Sequence, residues 1–170
     1  MDALGLNFKR ELGQRRGVYL LSTSQYANLG IYKVGMAERS FNERFSRFKY
    51  AGYGAVDRIL CFGLICIIHD GPMVNNAIKS TADHGVAQVC RRIEQDALQR
   101  LDRFRLRYSD TGRKSEWIRA DLALALGVLG EYHNNRIYTS GPTRWVTVQC
   151  FGVHLSVEDN EYAKRRRIVE

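Results

Sequence analysis

The stretch that most constrains this chain runs from Gly17 to Phe48, GVYLLSTSQYANLGIYKVGMAERSFNERFSRF. It contains two short β-type apolar runs followed by an amphipathic helical pattern. Gly17-Val18-Tyr19 opens a strand over 17–22, and Tyr32-Lys33-Val34-Gly35 belongs to a second over 31–35. The polar loop from Ser22 to Gly30 joins them, which predicts an antiparallel pair. Phe41, Phe45 and Phe48 then recur at helical spacing. Ser40-Phe41-Asn42-Glu43 has the form of a capping box, in which the serine oxygen accepts from an open backbone N–H and the glutamate reaches back. Such an order lays a helix on a strand pair and can gather side chains from all three at one patch.

Beyond this core the pattern is coarser. Residues 57–68 (DRILCFGLICII) form a long apolar run, a third strand buried on both faces. Asp70-Gly71-Pro72 ends it, and 73–85 is ambiguous, with Gly85 weakening any continuous helix. Val86, Cys90, Ile93, Ala97, Leu101, Phe104 and Tyr108 follow at steps of three or four, one face of a helix of roughly six turns. Glu116-Trp117-Ile118 is strand-like, Asp121 is placed to cap an apolar helix over 122–133, and Arg144 to Leu155 alternates as a late strand or hairpin. With two prolines and no Gly/Ser-rich stretch, there is no linker or internal repeat. The reading is an α+β fold: a small central antiparallel sheet of about three strands flanked by helices. Its divisions are an N-terminal segment 1–16, a domain 17–120, and a C-terminal helix, strand and basic tail 121–170 packed on the same domain.

At 170 residues the chain can bury a real core. No run approaches about 18 uncharged apolar residues, and the first sixteen residues lack the basic-then-apolar order of a secretory signal. The expected location is intracellular, in cytoplasm or nucleus, or within a virion, with no membrane partner. Cys61, Cys66, Cys90 and Cys150 form no CxxC pair and sit among apolar residues, as reduced core thiols do. The net charge is +8. The last ten residues hold four cations (Lys164, Arg165, Arg166, Arg167) against Glu161 and Glu170, which leaves +6 on the body. A basic excess spread over a domain favours a polyanionic partner such as nucleic acid. The KRRR run is either a phosphate-contacting or nuclear-import patch or a solvated terminal segment.

Cutting a phosphodiester needs an activated water, a cation near the scissile phosphate and relief of charge building on its oxygens. Tyr19, Lys33 and Arg44 are the candidates the strand–strand–helix order offers. Tyrosine is a poor base at its usual pKa of about 10, and adjacent cations favour the phenolate. Helical neighbours separate the two arginines. Arg47 has Glu43 four residues before it, so an exposed ion pair accounts for it. Arg44 has no carboxylate three or four residues away and wants an anionic partner from elsewhere. On the long helix Asp96 lies between Arg92 and Arg100, a solvated ladder. Glu94 instead has Cys90, Ala97 and Leu98 around it, an expensive place for a carboxylate unless it is paired or metal-bound. Arg91, three residues back, is one partner for it; a hard divalent ion is the other.

These residues, in this order, resemble the GIY-YIG nuclease superfamily, closest to its phage- and virus-type variants in which Lys-Val-Gly replaces the second Tyr-Ile-Gly triplet. The resemblance covers roughly residues 17–120. It implies a metal-dependent endonuclease in which Tyr19, Lys33, Arg44 and Glu94 converge on the phosphate and one Mg²⁺ (or Mn²⁺), with DNA as the expected nucleic acid. Tyr32 and Gly35 in the second triplet are further candidates, Gly35 by letting the backbone turn closely beneath the site. So is Glu116, since Ser115-Glu116-Trp117-Ile118 resembles the acid–aromatic piece that closes the lysine-bearing variants. Three features depart from the pattern. Phe48 stands where some members carry a histidine, the late asparagine has no firm counterpart, and 69–85 reads as an insertion. The alternative is a catalytically inactive module kept as a structural or nucleic-acid-binding component, such as a virion protein with protein assembly partners.

Overall fold

In the computed structural model of the chain, the described residues are 5–48, 58–69, 84–139, 145–157 and 162–166. Strand β2 (Arg16–Thr23) is buried at every position and forms the spine. Its alternate residues serve opposite faces: Val18 and Leu20 join one core cluster, Tyr19 and Leu21 the other. On one side it pairs antiparallel with β3 (Ile31–Ala37), on the other with β4 (Ile59–His69). The β2–β3 connection is not all loop. Thr23 Oγ1 accepts from Tyr26 N at 3.1 Å and caps a short helix, α2 (Ser24–Asn28), before Gly30 turns the chain with φ 71°.

The expected sheet of about three strands is corrected by the structure: α+β holds, but the sheet has nine strands among the described residues. Besides β2–β4 it contains β1 (Gly5–Asn7), β5 (Arg105–Arg107), β6 (Lys114–Arg119), β7 (Arg136–Tyr138), β8 (Trp145–Ser156) and β9 (Tyr162–Arg166). Their order is β1-β9-β8-β4-β2-β3-β6-β5, with β7 also on β8. The physical reason lies in β4. A strand buried on both faces cannot leave its outer backbone groups unpaired, and β8 pairs with it antiparallel from Leu60↔Ser156 to His69↔Val146. The late strand foreseen over 144–155 is therefore a central partner. Residues Gly5–Asn7 join the same sheet, with β1 on β9, and Phe8 is fully buried.

Helices cover both faces. Helix α4 (His84–Arg100) and helix α5 (Leu122–Gly130) lie on the Val18/Leu20 side; helix α1 (Phe8–Glu11) and helix α3 (Phe41–Phe48) lie on the Tyr19/Leu21 side. Two helix ends differ from expectation. The long helix stops at Arg100, followed by a 3₁₀ turn (Asp102–Phe104) and β5. Tyr108, assigned to its apolar face, is 53% exposed. Helix α5 ends at Gly130 and not 133, and Asp121 occupies its N-cap without a side-chain cap bond. Asp70-Gly71-Pro72 and most of 69–85 lie outside the described residues. Among the described residues no helix is long and apolar enough to cross a membrane.

Candidate active site at the edge of strand β3

Tyr19 lies directly across from Gly35 in the β2–β3 register. The missing side chain at Gly35 is what admits the tyrosine, because a Cβ there would run into its ring and hydroxyl. Gly35 thus acts through space within a strand, and not through a turn. The Tyr19 ring is edge-on to Phe45 (5.6 Å) and Phe48 (5.9 Å) of α3, with no exposed surface on the residue as a whole. Helix α3 starts on the serine half of the foreseen capping box: Ser40 Oγ accepts from Glu43 N at 3.1 Å, while the Glu43 carboxylate turns to Arg47. One turn along it, Arg44 Nε donates to Tyr19 Oη at 3.2 Å, and the guanidinium lies 5.2 Å over the Phe48 ring. Phe48, in the place of the histidine of some nucleases, therefore supports both the tyrosine and the arginine. Arg47 pairs with Glu43 at 2.5 Å on the surface.

Lys33 is opposite Leu21 in β2 and Trp117 in β6, so it projects on the Tyr19 face. Its side chain is 12% exposed, and Nζ lies 3.6 Å from Glu116 Oε2. The β3–β6 pairing covers Ile31 to Lys33. Beyond it, along Gly35 and Met36, acids carried by α4 and β6 reach the tyrosine and arginine of the other face. Tyr19, Gly35, Arg44, Glu94 and Glu116 line one cleft of about 350 Å³, together with Met36, Glu38, Arg39, Glu43 and Arg47.

Glu94 carries the most perturbed acid of the cleft. Burial, reinforced by the Glu116 charge, pushes its carboxyl up to about 7; Lys33, Arg44 and Arg91 act in the opposite direction. The partner expected for it along the helix is taken: Arg91 binds Glu38 at 2.9 Å. Among the described residues no side chain hydrogen-bonds or ion-pairs with Glu94. Tyr32 does not join the group. It is opposite Ile118, packs edge-on against Phe62 at 5.5 Å in the core under α4 and α5, and has its hydroxyl pKa raised by burial and then by Asp121.

Among the described residues no group of three or more His, Cys, Asp or Glu side chains has metal-ligand geometry. Mg²⁺ asks for less, often one or two carboxylates, the rest being water and substrate phosphate. Glu94 and Glu116 fit that role, since a cation would relieve the repulsion between them. Glu38 and Glu43 are closely paired with Arg91 and Arg47, whereas Glu116 has the longest of the three ion pairs, 3.6 Å to Lys33. Sequence reasoning missed Glu38 and Arg39 at the cleft. The Glu38–Arg91 pair spans 53 residues, and no local spacing announces it.

No curated protein and no solved structure matches the chain. The family model of the T5orf172 domain matches residues 16–133, from the first residue of β2 through α5, which includes every cleft residue named above. That domain is phage-associated, is related to nuclease modules of the GIY-YIG and HNH type, and is consistent with nucleic-acid interaction. By this match over more than two-thirds of its length, the chain belongs to the T5orf172 domain family.

Proposed function

We propose that the chain is a GIY-YIG-like, Mg²⁺-dependent endonuclease that hydrolyses phosphodiester bonds of nucleic acid, with DNA as its substrate. The observation that carries this reading is the meeting of Tyr19 and Arg44 with Glu94 and Glu116 in one cleft, beside the ammonium group of Lys33. Arg44 is held at Nε by the Tyr19 hydroxyl and from below by Phe48. Its guanidinium lines the cleft and would stabilise charge developing on the phosphate oxygens. Tyr19 holds Arg44 in place at the cleft, and the positive charge of Lys33 aids the attack of water on the phosphorus, the water's proton passing to solvent. Glu94, with Glu116, would hold the divalent ion. When bound, Mg²⁺ (or Mn²⁺) supplies Lewis-acid stabilisation of the phosphate and leaving oxygen.

The test is cleavage of plasmid and oligonucleotide substrates with Mg²⁺ or Mn²⁺, comparing wild type, Arg44→Ala and Glu94→Gln. Loss of cutting in both variants, with binding retained, is the expected result. Equal residual activity in all three sinks the assignment. Binding without cleavage in the wild type supports the inactive-module alternative instead.

A further inference from the structure

The family match ends at residue 133, and the chain then adds β7, β8 and β9. On the β7–β8 hairpin, Tyr138 (57% exposed) and Trp145 (41% exposed) are register partners, and their rings meet edge to face at 5.2 Å. Arg136, two residues before Tyr138 and on the same face of β7, lays its guanidinium 4.9 Å over the Trp145 ring. Val146, Val148 and Cys150 point into the core beneath α4 and α5, so Trp145 presents on the other face, the one Tyr19 occupies. A cross-strand aromatic pair stabilises a hairpin, but that role does not call for nearly half of an indole in water.

The placement of β9 supplies a second observation. Strand β4 takes one edge of β8 along 146–156, so β7, on 145–147, and β9, on 152–154, share its other edge end to end. Strand β9 carries Lys164, Arg165 and Arg166, of which Arg165 is the register partner of Val153, a residue of the Tyr19 face. The gap from Thr147 to Gly152 spans five residues of β8, roughly 17 Å. An aromatic platform with a stacked arginine thus shares a sheet edge with a basic strand, on a chain of net charge +8.

We infer that this edge is a binding site for single-stranded nucleic acid, with bases stacking on Trp145 and Tyr138, backbone phosphates beside Arg136, and the strand running on along the basic strand β9. Stacking platforms flanked by cations suit unpaired bases, whose π-faces are free; a duplex keeps those faces covered. Charge complementarity favours a polyanion over a protein partner for the same patch. The site lies outside the cleft, and its test needs no catalysis.

The experiment uses the full chain in EDTA with a fluorescent oligothymidine and a duplex of equal length. In the Trp117→Phe background Trp145 is the single tryptophan, and its emission is expected to be quenched at saturation. Trp145→Ala should weaken single-strand binding roughly tenfold, the scale of one lost stacked base, and duplex binding less than twofold. Trp145→Phe should keep most of the affinity, and Arg136→Ala should lower the salt slope by about 1. Unchanged Trp145 emission at saturation overturns the site. So do equal losses on single strand and duplex, or an oligomer that Trp145→Ala disperses without affecting oligothymidine. If Trp145→Ala fails to fold, the emission result and Trp145→Phe decide the matter.

Discussion

Replacing Glu94 by glutamine separates what the carboxylate costs the fold from what it does in the cleft. In the folded chain this carboxyl is pushed from the ordinary 4.5 up to about 7, first by burial and then by Glu116. In the unfolded chain it ionises near the ordinary value. Between about pH 4.5 and 7 the folded state therefore holds a proton that the unfolded state has lost, and stability falls as pH rises through that window. Below it both states are protonated and Glu94 costs nothing; above it the whole cost is present. At about 1.4 kcal/mol per pKa unit the span is worth roughly 3 kcal/mol, which water at the partly open rim reduces to about 2 kcal/mol. Glutamine keeps the shape and does not titrate. Glu94→Gln should be about 2 kcal/mol more stable than wild type at pH 8, a Tm rise of about 4–8 °C for a chain of this size. Near pH 4.5 it should show no gain. Thermal or urea denaturation across pH, without divalent ions, measures this directly. A variant no more stable than wild type at pH 8, or a gain that is the same at every pH, refutes the reasoning. Adding Mg²⁺ should narrow the difference at pH 8 by stabilising the wild type alone.

Three other outcomes follow from the packing. Gly35→Ala places a methyl group against the Tyr19 hydroxyl, so it should cost about 1–3 kcal/mol in denaturation and abolish cleavage; a variant that cuts normally contradicts the placement of Tyr19. Phe8 stacks on Phe45 at 5.7 Å and lies before the family match. Phe8→Ala should cost about 3–5 kcal/mol, and a loss under about 1 would mean that α1 does not brace α3. Burial pushes the Cys90 and Cys150 thiols up to about 12, and those of Cys61 and Cys66 higher still. All four should resist thiol reagents at pH 8 in the native chain and label fully in denaturant; rapid native labelling would refute that.

How much could be read from the sequence depended on distance along the chain. Strands β2 and β3 and helix α3 were legible because each is set by near neighbours: alternation, a polar connection, a serine cap and phenylalanines at helical spacing. Strand β4 was legible as a strand, since its length and β-rich composition are local. Its second partner was not, because β8 begins some eighty residues later and nothing in β4 specifies which strand covers its edge. The long helix was overextended because Leu101 and Phe104 keep a three-residue step into the 3₁₀ turn and still pack on the core. Near the site, the ion pairs that helical neighbours predict for Arg47 with Glu43 and for Asp96 with Arg100 are both present. The same neighbour logic allowed Arg91 as a mate for Glu94 and could not see Glu38.

That last failure explains why one acid stands apart. Tyr19, Lys33 and Arg44 occupy one face of the sheet, while α4, which carries Glu94, packs on the other. The two sets can meet only where β3 continues past its pairing with β6, at Gly35 and Met36. Four glutamates reach this opening, and three have a cation at hand: Glu38 has Arg91, Glu43 has Arg47 and Glu116 has Lys33. Those pairs hold the rim and keep its net field low. Glu94, held on the helix and only partly hydrated, has no hydrogen-bond or ion-pair partner among the described residues, and Lys33, Arg44 and Arg91 offset its burial only in part. A carboxyl whose pKa is raised by burial and a neighbouring charge is an electrostatic cost to the fold, and groups of this kind cluster at functional sites. The Glu94 carboxylate and the Arg44 guanidinium held by Tyr19 thus face one cleft from opposite faces of the sheet, the acid and the cation that the proposed phosphate site would use.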